Sequence, residues 1–94
     1  MSSSRDRSPL PPDDPDFRYL ARMMDILRAS RELRGISKSE LCRMSKCGNG
    51  TVGRAERYER FPSVPVLRRI CRALDLEWAA VCRQAEPPTE SHPL

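Results

Sequence analysis

The run Cys47-Gly48-Asn49-Gly50 is the feature that most limits how this chain can fold. Two glycines and an asparagine in so few residues break any continuous helix. Helical spacing nevertheless exists on both sides: Leu41 and Met44 fall three apart before the run, Val52 and Ala55 three apart after it. Two short helices joined by so tight a turn cannot easily lie antiparallel, and a steep crossing is expected. The later helix is expected to start near Gly48 or Asn49. That places Gly50 and Gly53 inside it, each costing up to about 1 kcal/mol relative to alanine. Packing through Val52 and Ala55 must then hold the helix in place.

The flanking sequence supplies helices to pack against. Asp14-Pro15 is a helix start, with the aspartate as cap and the proline in the first turn. Phe17, Leu20, Met23, Met24, Ile26 and Leu27 then form an apolar stripe on a helix that runs to Arg34, and Gly35 stops it. Ser37 followed by Glu40 is a capping box that opens the second helix. After the loop Phe61-Pro62-Ser63, residues Val66, Leu67, Ile70, Cys71 and Leu74 mark a fourth helix, with Ser63 as its cap. Glu77 opens a fifth, containing Trp78, Val81 and Cys82. No internal repeat and no strand periodicity are present. The expectation is an all-α, compact five-helix domain over residues 15–85. Residues 1–14 and 86–94, rich in Ser, Pro and acidic side chains, are expected to be disordered tails.

Charge is unevenly placed. The chain carries a formal +4, yet residues 28–72 hold twelve Lys and Arg against four Glu, a local +8, so the flanks are net acidic. A basic centre favours a polyanionic partner such as nucleic acid, although a solvated helical surface would also account for it. No apolar run approaches the ~20 residues needed to span a bilayer, and there is no signal-peptide core, so a cytoplasmic location without a membrane partner is expected. Cys42, Cys47, Cys71 and Cys82 then read as reduced, mostly core residues, with Cys82 the one nearest an exposed end and open to redox chemistry.

A short helix, a tight turn and a second polar helix make the helix-turn-helix geometry, whose second helix enters a DNA major groove. Residues 27–81 also resemble the lambda-repressor-like DNA-binding domains, the Cro/repressor or XRE family. The likeness is carried without gaps by G-I-S-K-S-E-L, T-V-G-R-A-E-R and P-S-V-P-V-L-R-R-I-C-R-A-L-D-L. It implies that Arg31 and Glu56 form a partly buried structural ion pair. It further implies that Asn49, Gly50, Thr51 and Arg54 face the bases, with Lys38 on a phosphate from the start of helix two. Arg57, Tyr58 and Arg60, which follow the recognition helix, suit phosphates as well. Asn pairs with adenine, Arg with guanine, and a Thr methyl with thymine. Three positions depart from the family pattern: Ser30, Ser45 and Lys46, the last standing in place of the usual turn glycine.

The expected function is a sequence-specific, DNA-binding transcriptional regulator, a dimeric repressor of bacterial or phage type. Its helix near 49–59 would read double-stranded DNA. Trp78 and Val81 are candidates for the homodimer contact, and the stripe of Phe17, Tyr19, Met23 and Met24 is the other. The same fold also serves as a protein-interaction module, an antitoxin or adaptor that binds a protein partner such as a toxin or antirepressor. Catalysis has no footing. The single histidine, His92, lies in a tail, and no acidic pair occupies a plausible cleft. Gly48-x-Gly50-x-x-Gly53 follows a helix rather than a strand, which rules out a dinucleotide fingerprint. Cys42 and Cys47 are too far apart for the usual zinc knuckle, so neither metal nor cofactor is expected.

Overall fold

In the computed structural model, which describes residues 10–87, five helices follow one another: α1 Pro15–Leu33, α2 Lys38–Met44, α3 Thr51–Glu56, α4 Val64–Ala73 and α5 Trp78–Ala85. No strand occurs among the described residues. Most of both expected tails, with His92, falls outside them. The Asp14 carboxylate accepts the Asp16 N–H at 2.7 Å and Pro15 opens α1, so the sequence signal is used in full. The capping box of α2 is likewise closed: Ser37 Oγ accepts the Glu40 N–H at 3.0 Å and Glu40 Oε1 faces the Ser37 N–H at 3.4 Å. Ser63 and Glu77 occupy the N-cap positions of α4 and α5, but neither side chain makes a capping hydrogen bond.

The first four helices all end in the same way. After α1 the N–H groups of Gly35 and Ile36 turn back to the carbonyls of Glu32 and Arg31, the paired bonds of a Schellman motif, and Gly35 has φ +69°. Lys46, Tyr58 and Asp75 repeat that role after α2, α3 and α4, with φ of 58°, 62° and 60°. Only the first of the four uses glycine. A side chain in the left-handed region costs roughly 1–2 kcal/mol, so three helix ends retain backbone strain that tertiary packing must offset.

The core draws on every helix: Met23, Met24 and Leu27 from α1, Leu41 and Cys42 from α2, Val52 and Ala55 from α3, Leu67, Ile70 and Cys71 from α4 with Leu74 at its end, and Val81 and Ala85 from α5. Helix α1 packs on α3 and α5, α2 on α3 and α4, and α4 on α5. Met44, expected inward beside Leu41, is 45% exposed; Ser45 is buried in its stead, its hydroxyl donating to the Leu41 carbonyl at 2.6 Å. Helix α2 is only seven residues long, and Leu41 and Cys42 already fill its inner face. The wide N-terminal stripe also finds its partners within the chain. Met23 and Met24 are buried, and Phe17 packs edge-on against Phe61 with ring centres 5.4 Å apart. That stripe is therefore engaged mainly within the chain, with Phe17 and Tyr19 left half-buried at its outer edge.

Two outcomes test this packing. Lys46→Gly should raise stability by about 0.5–1 kcal/mol, since relief of left-handed strain outweighs the extra unfolded-state freedom of glycine. Thermal unfolding followed by circular dichroism would then shift upward by roughly 3–6 °C, and a downward shift would show that the Lys46 side chain holds more than its backbone costs. Alkylation of the native chain should modify the half-buried Cys47 and Cys82 before the buried Cys42 and Cys71. Burial pushes the Cys71 thiol up to about 11, which keeps it in its unreactive protonated form; peptide mapping by mass spectrometry reads the order.

Candidate nucleic-acid interface

Helix α3 is six residues long, too short to be stable alone. Val52 and Ala55 anchor it to the core at 1% and 0% exposure. Glu56 completes the anchoring. Its carboxylate accepts Arg31 Nε at 2.8 Å and Arg31 Nη2 at 3.0 Å, a two-pronged pair in which both residues are under 10% exposed. The remaining Arg31 nitrogen, Nη1, donates to the Ile36 carbonyl at 2.8 Å. One guanidinium therefore joins the end of α1, the entry to α2 and the end of α3.

The start of α3 differs from the sequence expectation. The helix begins at Thr51, and Gly50 is its N-cap in the left-handed region at φ +89°. Asn49 and Gly50 are the central residues of a turn ahead of it, closed by the Thr51 N–H on the Gly48 carbonyl at 3.1 Å. Of the three glycines, only Gly53 lies inside the helix. Gly50 is needed before it, where the chain must reverse hand.

The face of α3 turned away from the core carries Thr51, Gly53 and Arg54. Asn49 is exposed in the turn, Gly50 and Thr51 are half-exposed, and Arg54 is exposed. Lys38, the first residue of α2, lies alongside: a β-carbon at Gly53 would sit 3.9 Å from Lys38 Cδ. Arg54, Arg60, Thr51 and Ser63 line a cleft of about 270 Å³ together with Phe61 and Pro62. Basic and hydroxyl groups from α2, α3 and the α3–α4 loop thus converge on one surface.

Three expected residues stand differently. Tyr58 is not free for a phosphate, because its hydroxyl donates to Asp25 of α1 and its ring packs against Phe17 and Phe61. The hydrogen bond to Asp25, then burial, push the phenol pKa up. Arg57 is held by Glu59 through two hydrogen bonds of 2.8 and 3.2 Å, though a pair so exposed contributes little and yields readily to a phosphate. Val81, expected at a dimer contact, is 2% exposed in the chain's own core and has no surface to offer. Trp78 is half-buried. Sequence reasoning missed Arg69, whose Nε donates to the Ser45 carbonyl at 2.8 Å and fastens the α2–α3 turn to α4. It also missed Arg22, which donates to the Ala85 carbonyl at 2.6 Å and closes α1 on α5. Both bonds span long sequence separations and leave no local signal.

A six-residue helix held by its inner face behind a glycine turn, with an exposed basic outer face, defines a helix-turn-helix protein. The helix-turn-helix family model matches residues 27–80, more than half of the chain. The chain belongs to the XRE-type helix-turn-helix family of DNA-binding transcription regulators. Its fold is similar to that of the clp gene regulator ClgR from Corynebacterium glutamicum, at 27% identity and TM-score 0.65 over 71% of each chain. A second ClgR structure aligns at 25% identity and TM-score 0.64 over 85% of this chain and 92% of that one. A mutant form of the restriction-modification controller protein C.Esp1396I is similar in fold alone, at 16% identity and TM-score 0.64, over 71% of this chain and 89% of that one. Among curated proteins no significant match is found. Among the described residues no helix is long and apolar enough to cross a membrane.

The buried ion pair gives a sharp expectation. Arg31→Met should lower stability by about 3–5 kcal/mol, because it leaves the Glu56 carboxylate buried without its counter-charge. Arg31→Met combined with Glu56→Leu should recover most of that loss. Urea unfolding of the three proteins measures it, and a double variant no more stable than the single one would locate the stabilisation outside the pair.

Proposed function

We propose that this chain is a sequence-specific transcriptional regulator, a repressor of bacterial or phage type that binds double-stranded DNA as a two-fold dimer. Helix α3 lies in the major groove. Arg54 and Thr51, with Asn49 and the backbone of Gly50, meet base edges, while Lys38, Arg57 and Arg60 meet phosphates. The observation that carries this reading is the exposed Arg54 at the centre of a surface shared by Lys38 and Arg60. The similarity in fold to ClgR, a clp gene regulator, agrees with a regulatory role.

The dimer contact is assigned to the outer junction of α4 and α5. There Leu76, Trp78 and Ala79 line a cleft of about 430 Å³, with the buried Cys71 beneath it and Arg68, Arg72 and Glu77 at its rim. Arg68 and Arg72 stand there with Glu77 and the neighbouring, exposed Asp75, so the patch carries both signs of charge, as contact with a second copy of this chain requires. An isologous contact of that kind matches a palindromic operator with half-sites one helical turn apart.

Selection from randomised duplexes at two salt concentrations tests the whole reading. A palindromic site should be enriched, with affinity falling steeply as salt rises. Arg54→Ala should cost about 1–3 kcal/mol at one base position, whereas Lys38→Ala should weaken all sequences alike and lower the salt slope by about one. Ala79→Glu should convert the dimer to a monomer in analytical ultracentrifugation. A chain that enriches no sequence would overturn the proposal.

A further inference from the structure

Helix α3 presents few side chains at its leading end. Gly48 and Gly50 offer none, and Asn49 and Thr51 are short. Arg54 stands one turn further on, its N–H donating to the Gly50 carbonyl at 3.0 Å. Helical side chains lean towards the N-terminus, and Arg54 does so to the full: its head group lies across Gly50. A β-carbon at Gly50 would come within 2.7 Å of Arg54 Nη1, 3.4 Å of Cζ and 3.6 Å of Nη2. No carboxylate holds Arg54 elsewhere, since the ion pairs among the described residues involve Arg28, Arg31 and Arg57.

Resting on the DNA-reading function above, we propose that Gly50 is a specificity-determining positioning residue that works through Arg54. Its missing side chain provides the seat on which the guanidinium lies at the tip of α3. The fork is thereby set, before DNA arrives, where the N-terminal residues of such a helix meet base edges. A seated fork matches the O6 and N7 acceptors of guanine in a single bidentate contact. Base discrimination in each half-site accordingly centres on that guanine, with the shorter Asn49 and Thr51 adding their own base contacts beside it. This role is distinct from the backbone role of Gly50. Asparagine tolerates a left-handed backbone but carries a β-carbon that would displace the flexible guanidinium from this seat.

The test is duplex selection with the wild-type chain, Gly50→Asn, Arg54→Ala and the double variant, each first shown folded by circular dichroism. Gly50→Asn should lose roughly tenfold or more of the preference for guanine at one position. Any loss of affinity for random-sequence DNA should be smaller than that loss of preference, since the phosphate contacts of Lys38 and Arg60 are untouched. Arg54→Ala should lose preference at that same position, and the double variant should lose no more than Arg54→Ala alone. Retention of the full guanine preference by Gly50→Asn, a loss at a different position, or additive losses would each overturn the inference while leaving the DNA-reading function standing. A wild-type chain that enriches no sequence would overturn both. If Gly50→Asn does not fold, NMR of the wild-type chain decides: cross-relaxation between the Gly50 α-protons and the Arg54 side chain supports the seat, and its absence removes it.

Discussion

The two-pronged contact between Arg31 and Glu56 is the interaction on which the DNA-facing geometry depends. Helix α3 has too few residues to set its own direction, and Val52 and Ala55 fix only which side it turns inward. The ion pair supplies the missing constraint, because a planar guanidinium with both prongs engaged admits one orientation of the carboxylate. Its third contact, to the Ile36 carbonyl, carries the same constraint to the entry of α2. Two charges buried together do not necessarily add stability over a well-packed apolar pair. Their contribution here is orientation: the two helices of the motif share one fixed reference on α1.

How much of the structure is legible in the sequence follows from the range of each physical signal. Caps and stops act over three or four residues, so Asp14-Pro15, Ser37 with Glu40, and Gly35 mark α1 and α2 closely. Apolar spacing likewise places α4. The start of α3 lies a few residues from its expected position because Gly48, Asn49 and Gly50 are all turn formers, and only the three-dimensional path decides which of them reverses hand. Lys46, Tyr58 and Asp75 adopt a conformation that glycine would adopt more readily, and nothing local announces it. Tyr58 is hidden as well because its partner Asp25 lies 33 residues upstream. Val81 reads as outward for a related reason: a helix of eight residues offers too little pattern to tell its inner face from its outer one.

The arginines divide by use in a way that counting charges cannot reveal. Arg31 is spent on a buried carboxylate, and Arg22 and Arg69 on backbone carbonyls that join distant helices. Arg28 and Arg57 carry exposed carboxylate partners. The basic surface open to a polyanion is therefore the unpaired remainder, which carries the local excess of +8 over residues 28–72 because the partners Glu32, Glu56 and Glu59 are already subtracted in it. It is well defined, with Lys38, Arg54 and Arg60 gathered around α3. Much of the positive charge is structural cement of a kind that lysine, lacking a fork, would supply poorly.

The chain contains one tryptophan, and it is Trp78 at the α4–α5 junction. Ultraviolet emission from the unmodified protein consequently originates almost wholly from that corner of the molecule. The indole is half-buried, so its emission colour registers water gained or lost there. The surface around Arg54 holds no indole and is optically silent in that channel. A natural fluorophore thus sits where copies of the chain would meet and none where nucleic acid would lie, so assembly and DNA engagement are separable in a cuvette without attaching a dye.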